Sequence, residues 1–176
     1  LDPAQVRQLA AEDSTDKVAA IRQLTQTADP DAVRVLKAMA EDSLFLAGDK
    51  VVIIDGDKVF DAATGAATKI PASPESVTVN NRIRGELASA LAALKLFDSD
   101  VAVRLASAQK LQSQVTPEMA PLLARALEKE SDGQIKALLT LAYAQANLAN
   151  TDPAARLAAV KALAEQCDLV IVVGSP

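Results

Sequence analysis

The chain contains no histidine and no tryptophan, and aromatic residues make up only 2% of it. Without histidine it lacks the commonest general base, the usual partner of a catalytic serine and most zinc ligand sets. A single cysteine, Cys167, excludes an internal disulfide. No apolar run exceeds five residues, well below the ~20 needed for a membrane helix, so the sequence predicts no membrane span.

What is present indicates a globular domain. Half of the 176 residues are apolar, and alanine alone makes up about a fifth of the whole chain. This composition is too apolar for a disordered chain, and the length is sufficient to bury a core. The net charge of −5 disfavours a nucleic-acid partner, because binding to the phosphate backbone depends on a basic surface. The chain begins at Leu1 without a leader pattern, which suggests an excised domain or a processed product.

Most of the chain has apolar residues at helical spacing. Ile83, Leu87, Leu91 and Leu94 form one such stripe, and Met119, Leu122, Leu123 and Ala126 form another. Residues that cap or start helices precede these stripes: Asp16, Asp29–Pro30, Asn80, Asp100, Thr116–Pro117, Asp132 and Asp152–Pro153. The short connections between stripes predict antiparallel neighbouring helices.

A weak internal repeat suggests how these helices are arranged. An aspartate followed four residues later by a base occurs at Asp13–Lys17, Asp100–Arg104, Asp132–Lys136 and Asp152–Arg156. Such helix starts resemble HEAT-like repeats, whose helical hairpins bury their apolar faces by stacking. We therefore predict a mainly α fold, a HEAT-like helical-hairpin solenoid of about seven helices, in one domain over residues 1–166. An irregular helical bundle without true repeats is the alternative.

The pattern changes to that of strands near residues 44–70. Val51–Ile54 and Val59–Phe60 flank Asp55–Gly56, a sequence typical of a tight β-hairpin. Pro71 and Pro74 follow the segment. We expect a small β-meander inserted into the helical solenoid and packed on it, since two or three strands are marginal alone.

The residues give no positive support for catalysis. Asp55, Asp57 and Asp61 resemble a calcium loop, but the spacing does not match an EF-hand and turn chemistry explains them. Cys167 has no base nearby in the sequence, so we interpret it as a buried or terminal thiol, with a nucleophile as the alternative. We predict no catalytic, cofactor or metal site and a protein that is not an enzyme.

The most distinctive stretch is Val-Thr-Val-Asn-Asn-Arg-Ile-Arg at residues 77–84. Asn80 is suited to cap the helix that follows, and one interpretation is a cap beside solvated arginines. The other is a polar contact surface made by Asn81, Arg82 and Arg84, since arginines in an acidic chain are suited to bind a partner's carboxylates. We name these three residues as the candidate partner-binding site.

Three segments carry a resemblance to a known family: residues 77–87, Asp-Ala-Ala-Thr-Gly at 61–65, and residues 103–111. Together they resemble the N-terminal extracytoplasmic region of bacterial urea ABC transporter permeases of the UrtB type, relatives of the branched-chain amino-acid permeases. The resemblance covers roughly residues 10–166. It implies a HEAT-like domain on the periplasmic side of the inner membrane, with the substrate translocated by a separate membrane region.

The resemblance also implies partners and a function. The partners would be the periplasmic urea-binding protein and the other permease and ATPase subunits, with no nucleic acid and with membrane contact only through the permease region. The domain would be non-catalytic and would dock the solute-binding protein or order the assembly. The alternative is a stand-alone HEAT-like scaffold or lyase-type chaperone in the cytoplasm.

The last ten residues, 167–176, depart from the family. Their Leu-Val-Ile-Val-Val run predicts a strand, and they resemble a strand of the hydroxymethylbutenyl diphosphate reductases. Ten residues cannot carry an iron–sulfur activity, so we treat them as a strand-like tail of uncertain origin.

Overall fold

The computed structural model describes residues 1–69, 72–148, 150 and 152–173. These residues form eight α-helices and a five-stranded antiparallel sheet. The elements in chain order are α1 Pro3–Gln8, α2 Ser14–Thr27, α3 Pro30–Ala40, β1 Leu44–Ala47, β2 Lys50–Asp55, β3 Lys58–Asp61, β4 Ala67–Thr68, β5 Glu75–Ser76, α4 Asn81–Leu94, α5 Val101–Leu111, α6 Ala120–Lys129, α7 Gly133–Asn147 and α8 Pro153–Val173. Short 3-10 helices lie at Lys95–Phe97 and Pro117–Met119.

The chain divides into two compact units, where the sequence had suggested one domain over 1–166. The N-terminal unit is Leu1–Leu94 and the C-terminal unit is Lys95–Pro176. Each has an apolar core of its own. The sheet and helices α1 to α4 belong to the N-terminal unit, and helices α5 to α8 belong to the C-terminal unit.

The sheet of the N-terminal unit has the strand order β4-β3-β2-β1-β5. The predicted hairpin at Asp55–Gly56 is present, with Asp55 paired to Lys58, and a second hairpin pairs Ala47 with Lys50. Gly48 and Gly56 occupy their turns with φ of 60° and 56°, a conformation that glycine adopts without strain. The segment extends beyond residue 70, because β5 returns to pair with β1 through Phe45 and Ser76.

The prediction of a HEAT-like solenoid is wrong. The sheet is not an insertion on a stack of helices, because Leu44, Val51 and Ile53 share one core with buried residues of α2, α3 and α4. β2 carries four consecutive β-branched residues, Val51 to Ile54, of which Val51, Val52 and Ile53 are buried, so the strand is largely covered rather than half exposed. The fold is therefore a mixed one, helical for the most part but with the sheet inside the N-terminal core.

Most of the predicted helix starts are confirmed. Asp29, Asp100 and Asp132 each accept a hydrogen bond from a backbone N–H in the first turn of the following helix. Asp13, rather than Asp16, caps α2 through the Thr15 amide. These caps satisfy backbone donors that a helix leaves without internal partners.

Helix α8 extends through Val173, so residues 167–173 are helical where a strand was expected. Residues 174–176 lie outside the described part of the chain, as does the side chain of Cys167. Among the described helices, none combines the length and the apolar character needed to span a lipid bilayer.

Candidate partner-binding site

The three candidate residues, Asn81, Arg82 and Arg84, lie in the first turn of α4, and all three are exposed. Asn80 starts this helix: its Oδ1 accepts from the Ile83 amide at 3.0 Å. Its Nδ2 donates to the Ser14 Oγ at 2.9 Å, which joins the start of α4 to the start of α2. The capping role predicted for Asn80 is therefore confirmed.

Arg84 already has a partner within the chain. Its Nη2 lies 2.9 and 3.1 Å from the two carboxylate oxygens of Asp42, in the turn after α3. Both side chains remain about half exposed, so the pair is a surface ion pair with a modest effect on stability. Arg84 thus links α4 to the α3–β1 turn.

Arg82 lies near the start of α2. The pKa of Asp13 is lowered, chiefly by the Thr15 backbone N–H and in smaller part by the positive charge of Arg82. Asn81 and Arg82 therefore present an amide and a guanidinium to solvent beside two helix N-termini.

A groove opens next to these residues, which we call the Lys17 groove. Its volume is about 370 Å³, at the lower end of the range for ligand-binding pockets. The groove is bordered by the α1–α2 connection, by β5 and the segment after it, and by the start of α4. The lining residues are Ala10, Ala11, Glu12, Ser14, Lys17, Leu46, Glu75, Ser76, Val77, Thr78, Asn80 and Ile83.

Lys17 is a buried cation in the wall of this groove. It is only 5% exposed, and its Nζ donates to the Thr78 carbonyl oxygen at 2.8 Å. Burial of the ammonium lowers the pKa of Lys17, and no described carboxylate offsets that effect. A lysine is rarely buried without a partner of opposite charge, so the Lys17 ammonium is a candidate to bind a carboxylate.

The groove carries charges of both signs. Glu12 and Glu75 line it with exposed side chains, while Lys17 is buried. Two carboxylates and one ammonium give a net negative lining. The groove is therefore poorly suited to bind a polyanion. It is better suited to bind a ligand that has one carboxylate surrounded by neutral or basic groups.

The remaining candidates of the sequence analysis lie elsewhere. The Oδ1 of Asp61 accepts from the amides of Ala63 and Thr64, which lowers the pKa of Asp61 and fixes the turn after β3. Asp55 and Asp57 belong to the β2–β3 hairpin. Within the described residues, no three His, Cys, Asp or Glu side chains are grouped as metal ligands.

Sequence reasoning missed Lys17 and β5 as parts of a site. A signal for Lys17 was present, because Lys17, Ile21 and Leu24 follow the spacing of an apolar helix face. A lysine or arginine on the apolar face of a helix extends either to a buried acceptor or into a cleft. No comparable signal exists for Glu75–Ser76, a two-residue polar strand between prolines and a helix.

Comparison of the chain with protein-family models, with curated proteins and with solved structures finds no match.

Proposed function

We propose that this chain is a non-catalytic domain that binds a partner protein through the start of α4 and the Lys17 groove. One observation carries the proposal. The segment 77–87, which has the strongest family resemblance, forms one wall of the groove and the exposed first turn of α4. The cleft beside this segment also holds a buried ammonium with no carboxylate partner among the described residues, and recognition residues often lie at such exposed helix starts and loops of a rigid scaffold.

The resemblance supplies the identity of the proposed partner. On that basis the chain is an extracytoplasmic domain of a urea ABC importer permease, on the periplasmic side of the inner membrane, and its partner is the periplasmic urea-binding protein. Docking would bring the loaded binding protein to the permease and order the assembly with the other permease and ATPase subunits. No urea site is assigned to these residues, because translocation belongs to the membrane region in that family.

We infer different roles for the three candidate residues from their exposure and contacts. Asn81 and Arg82 are exposed and available for a carboxylate or backbone carbonyl of the partner. Arg84 has a positioning role, because its ion pair with Asp42 holds the first turn of α4 against the end of α3. Arg82 is therefore the residue whose charge a partner would meet first.

Calorimetric titration with the cognate periplasmic urea-binding protein, with and without urea, tests the proposal. We expect a Kd in the micromolar range and about tenfold weaker binding by Arg82→Glu, because a reversed charge repels the partner's carboxylate. Lys136→Glu is the matched control, since Lys136 is also an exposed base in the first turn of a helix. Absence of binding at about 100 µM in both conditions refutes the proposal.

A further inference from the structure

The outer edge of β5 faces the Lys17 groove. The Val77 amide donates to the Leu44 carbonyl oxygen at 3.0 Å, so Val77 is a hydrogen-bonded partner of β1. In an antiparallel pair the hydrogen-bonded and non-bonded positions alternate, so the N–H and C=O of Ser76 point away from β1. Ser76 itself lines the groove.

The same edge continues toward Lys17. Two residues beyond Ser76, the Thr78 carbonyl oxygen is bound by the Lys17 ammonium, which reaches across from α2. Among the described strands, β5 is at the end of the sheet, with β1 on one side and no strand on the other. The groove therefore has an open strand edge along one wall and a buried cation at the end of that edge.

We propose that the Lys17 groove binds an extended segment of a partner protein, which pairs with the outer edge of β5 and places one carboxylate on the Lys17 ammonium. Residues 75–78 span about 13 Å at ~3.3 Å per residue, and along them Ser76 offers its N–H and C=O to such a segment, while the Thr78 carbonyl oxygen is already bound by Lys17. Addition of a strand to an open sheet edge is a common mode of peptide recognition, in which backbone bonds give affinity and side-chain pockets give specificity.

Charge complementarity defines the occupant. Lys17 donates one bond to Thr78 and has two further N–H groups for a carboxylate oxygen. Glu12 and Glu75 at the rim favour neutral or basic residues on either side of that acidic residue. The segment therefore has the pattern of a single Asp, Glu or terminal carboxylate flanked by Lys, Arg or uncharged residues. This inference rests on the proposed function only in that the occupant belongs to a protein.

A library of random octapeptides displayed on phage, selected on the whole 176-residue chain, tests the inference. We expect enriched peptides with one acidic residue at a fixed position, and synthetic copies of them should bind when measured by fluorescence polarisation. Lys17→Met should weaken that binding about ten- to a hundredfold, because it removes a charge-assisted hydrogen bond in a buried place. Lys37→Met, which alters an exposed lysine of α3, should leave it unchanged.

Hydrogen exchange of the unmodified chain tests the strand pairing without any variant. Binding of a selected peptide should slow exchange of the Ser76 amide at least tenfold, because the peptide backbone then accepts from it. Failure to enrich acidic peptides, equal affinity for Lys17→Met, or unchanged exchange at Ser76 overturns the inference. Titration with free acetate and glutamate tests the competing case, in which a small carboxylate binds through Lys17 and the Ser76 amide stays unprotected from exchange. That result also overturns strand addition.

The two proposals fail separately. If the urea-binding protein binds the chain and Lys17→Met binds it equally well, the proposed partner and its contact at the start of α4 stand, and the Lys17 groove is no part of that contact. If acidic peptides protect Ser76 and the urea-binding protein does not bind, the groove is a peptide site and the proposed partner is wrong.

Discussion

The strongest electrostatic prediction concerns Glu130 in the C-terminal unit. Its side chain is 2% exposed and forms a two-pronged ion pair with Arg104, with Nε–Oε2 and Nη2–Oε1 distances of 2.9 and 3.2 Å. The Oε1 atom also accepts from the amides of Ser131 and Asp132, both at 2.9 Å. The Arg104 Nη1 donates to the Asp98 carbonyl oxygen at 2.9 Å, so one ion pair fixes two loops.

These contacts lower the pKa of the Glu130 carboxyl from 4.5 to about 2, chiefly through the hydrogen bond from Arg104. The difference corresponds to about 3 kcal/mol in favour of the folded, ionised form. Because the folded pKa lies below the unfolded one, this stabilisation is complete above pH 4.5 and is lost as the pH falls toward 2. By pH 3 more than half of it is gone.

Glu130→Gln should therefore lower the free energy of unfolding by about 3 kcal/mol at pH 7, because Arg104 loses its charged partner and meets an amide N–H. At pH 3 the difference from the unchanged protein should shrink to about 1 kcal/mol. Guanidinium denaturation followed by circular dichroism measures both values. Hydrogen exchange of amides in α5 and α7 assigns the loss to the C-terminal unit.

Glu128→Gln is the matched control, since Glu128 is an exposed residue of α6, the helix that ends immediately before Glu130. We expect that substitution to change the free energy of unfolding by less than about 0.5 kcal/mol. A loss below about 1 kcal/mol for Glu130→Gln at pH 7, or an equal loss at pH 7 and pH 3, would refute the reasoning.

Three further predictions concern the N-terminal unit. Gly65→Ala should destabilise it by more than about 1 kcal/mol, because Gly65 has a φ of 73° and a Cβ there collides with the Arg34 guanidinium. Gly85→Ala should instead stabilise it by up to about 1 kcal/mol, because Gly85 lies in open space on α4. Thermal denaturation of the two variants checks the contrast. Lys17→Met should be neutral or stabilising at pH 7 by denaturant titration, because it removes a desolvated charge. Burial lowers the pKa of Lys17 below 10.5, so the unchanged protein should become more stable as the pH rises from that lowered pKa toward 10.5. The variant should not show this rise in stability. Arg84→Ala should cost less than about 1 kcal/mol, since its ion pair is half exposed, and double-mutant cycles with its partner carboxylate measure the coupling.

The features that the sequence predicted correctly are local ones. Asp29 and Asp132 cap helices because an aspartate oxygen reaches amides two or three residues away, whatever the rest of the chain does. The hairpin at Asp55–Gly56 likewise depends on a short turn between two apolar runs. Such interactions can be inferred from spacing alone.

The features that were missed depend on residues far apart in the chain. In the sequence Asp13 and Lys17, four residues apart, indicated only part of a repeat, but Asp13 caps α2 and Lys17 binds Thr78, 61 residues away. Arg84 was interpreted as a solvated or partner-binding side chain, yet it binds Asp42. Tertiary contacts decided both cases.

The error in fold class has the same origin. The apolar helix stripes are compatible with a stack of hairpins, and the strands were short enough to appear as an insertion. Nothing in the spacing of Val51 and Ile53 reveals that their side chains complete the core of α2 to α4. A strand that contributes to a core cannot be distinguished from one that packs on its outside until the elements are assembled.

Both ends of the sheet are two-residue strands, β4 at one side and β5 at the other. Long open edges invite fibril growth, since each added chain offers a fresh edge to the next. Each of these edges can bind one short segment but pairs over too few residues to extend a sheet from copy to copy, and the charged Glu75 disfavours a second copy beside the first. The unit can thus leave an edge uncovered at low risk of aggregation.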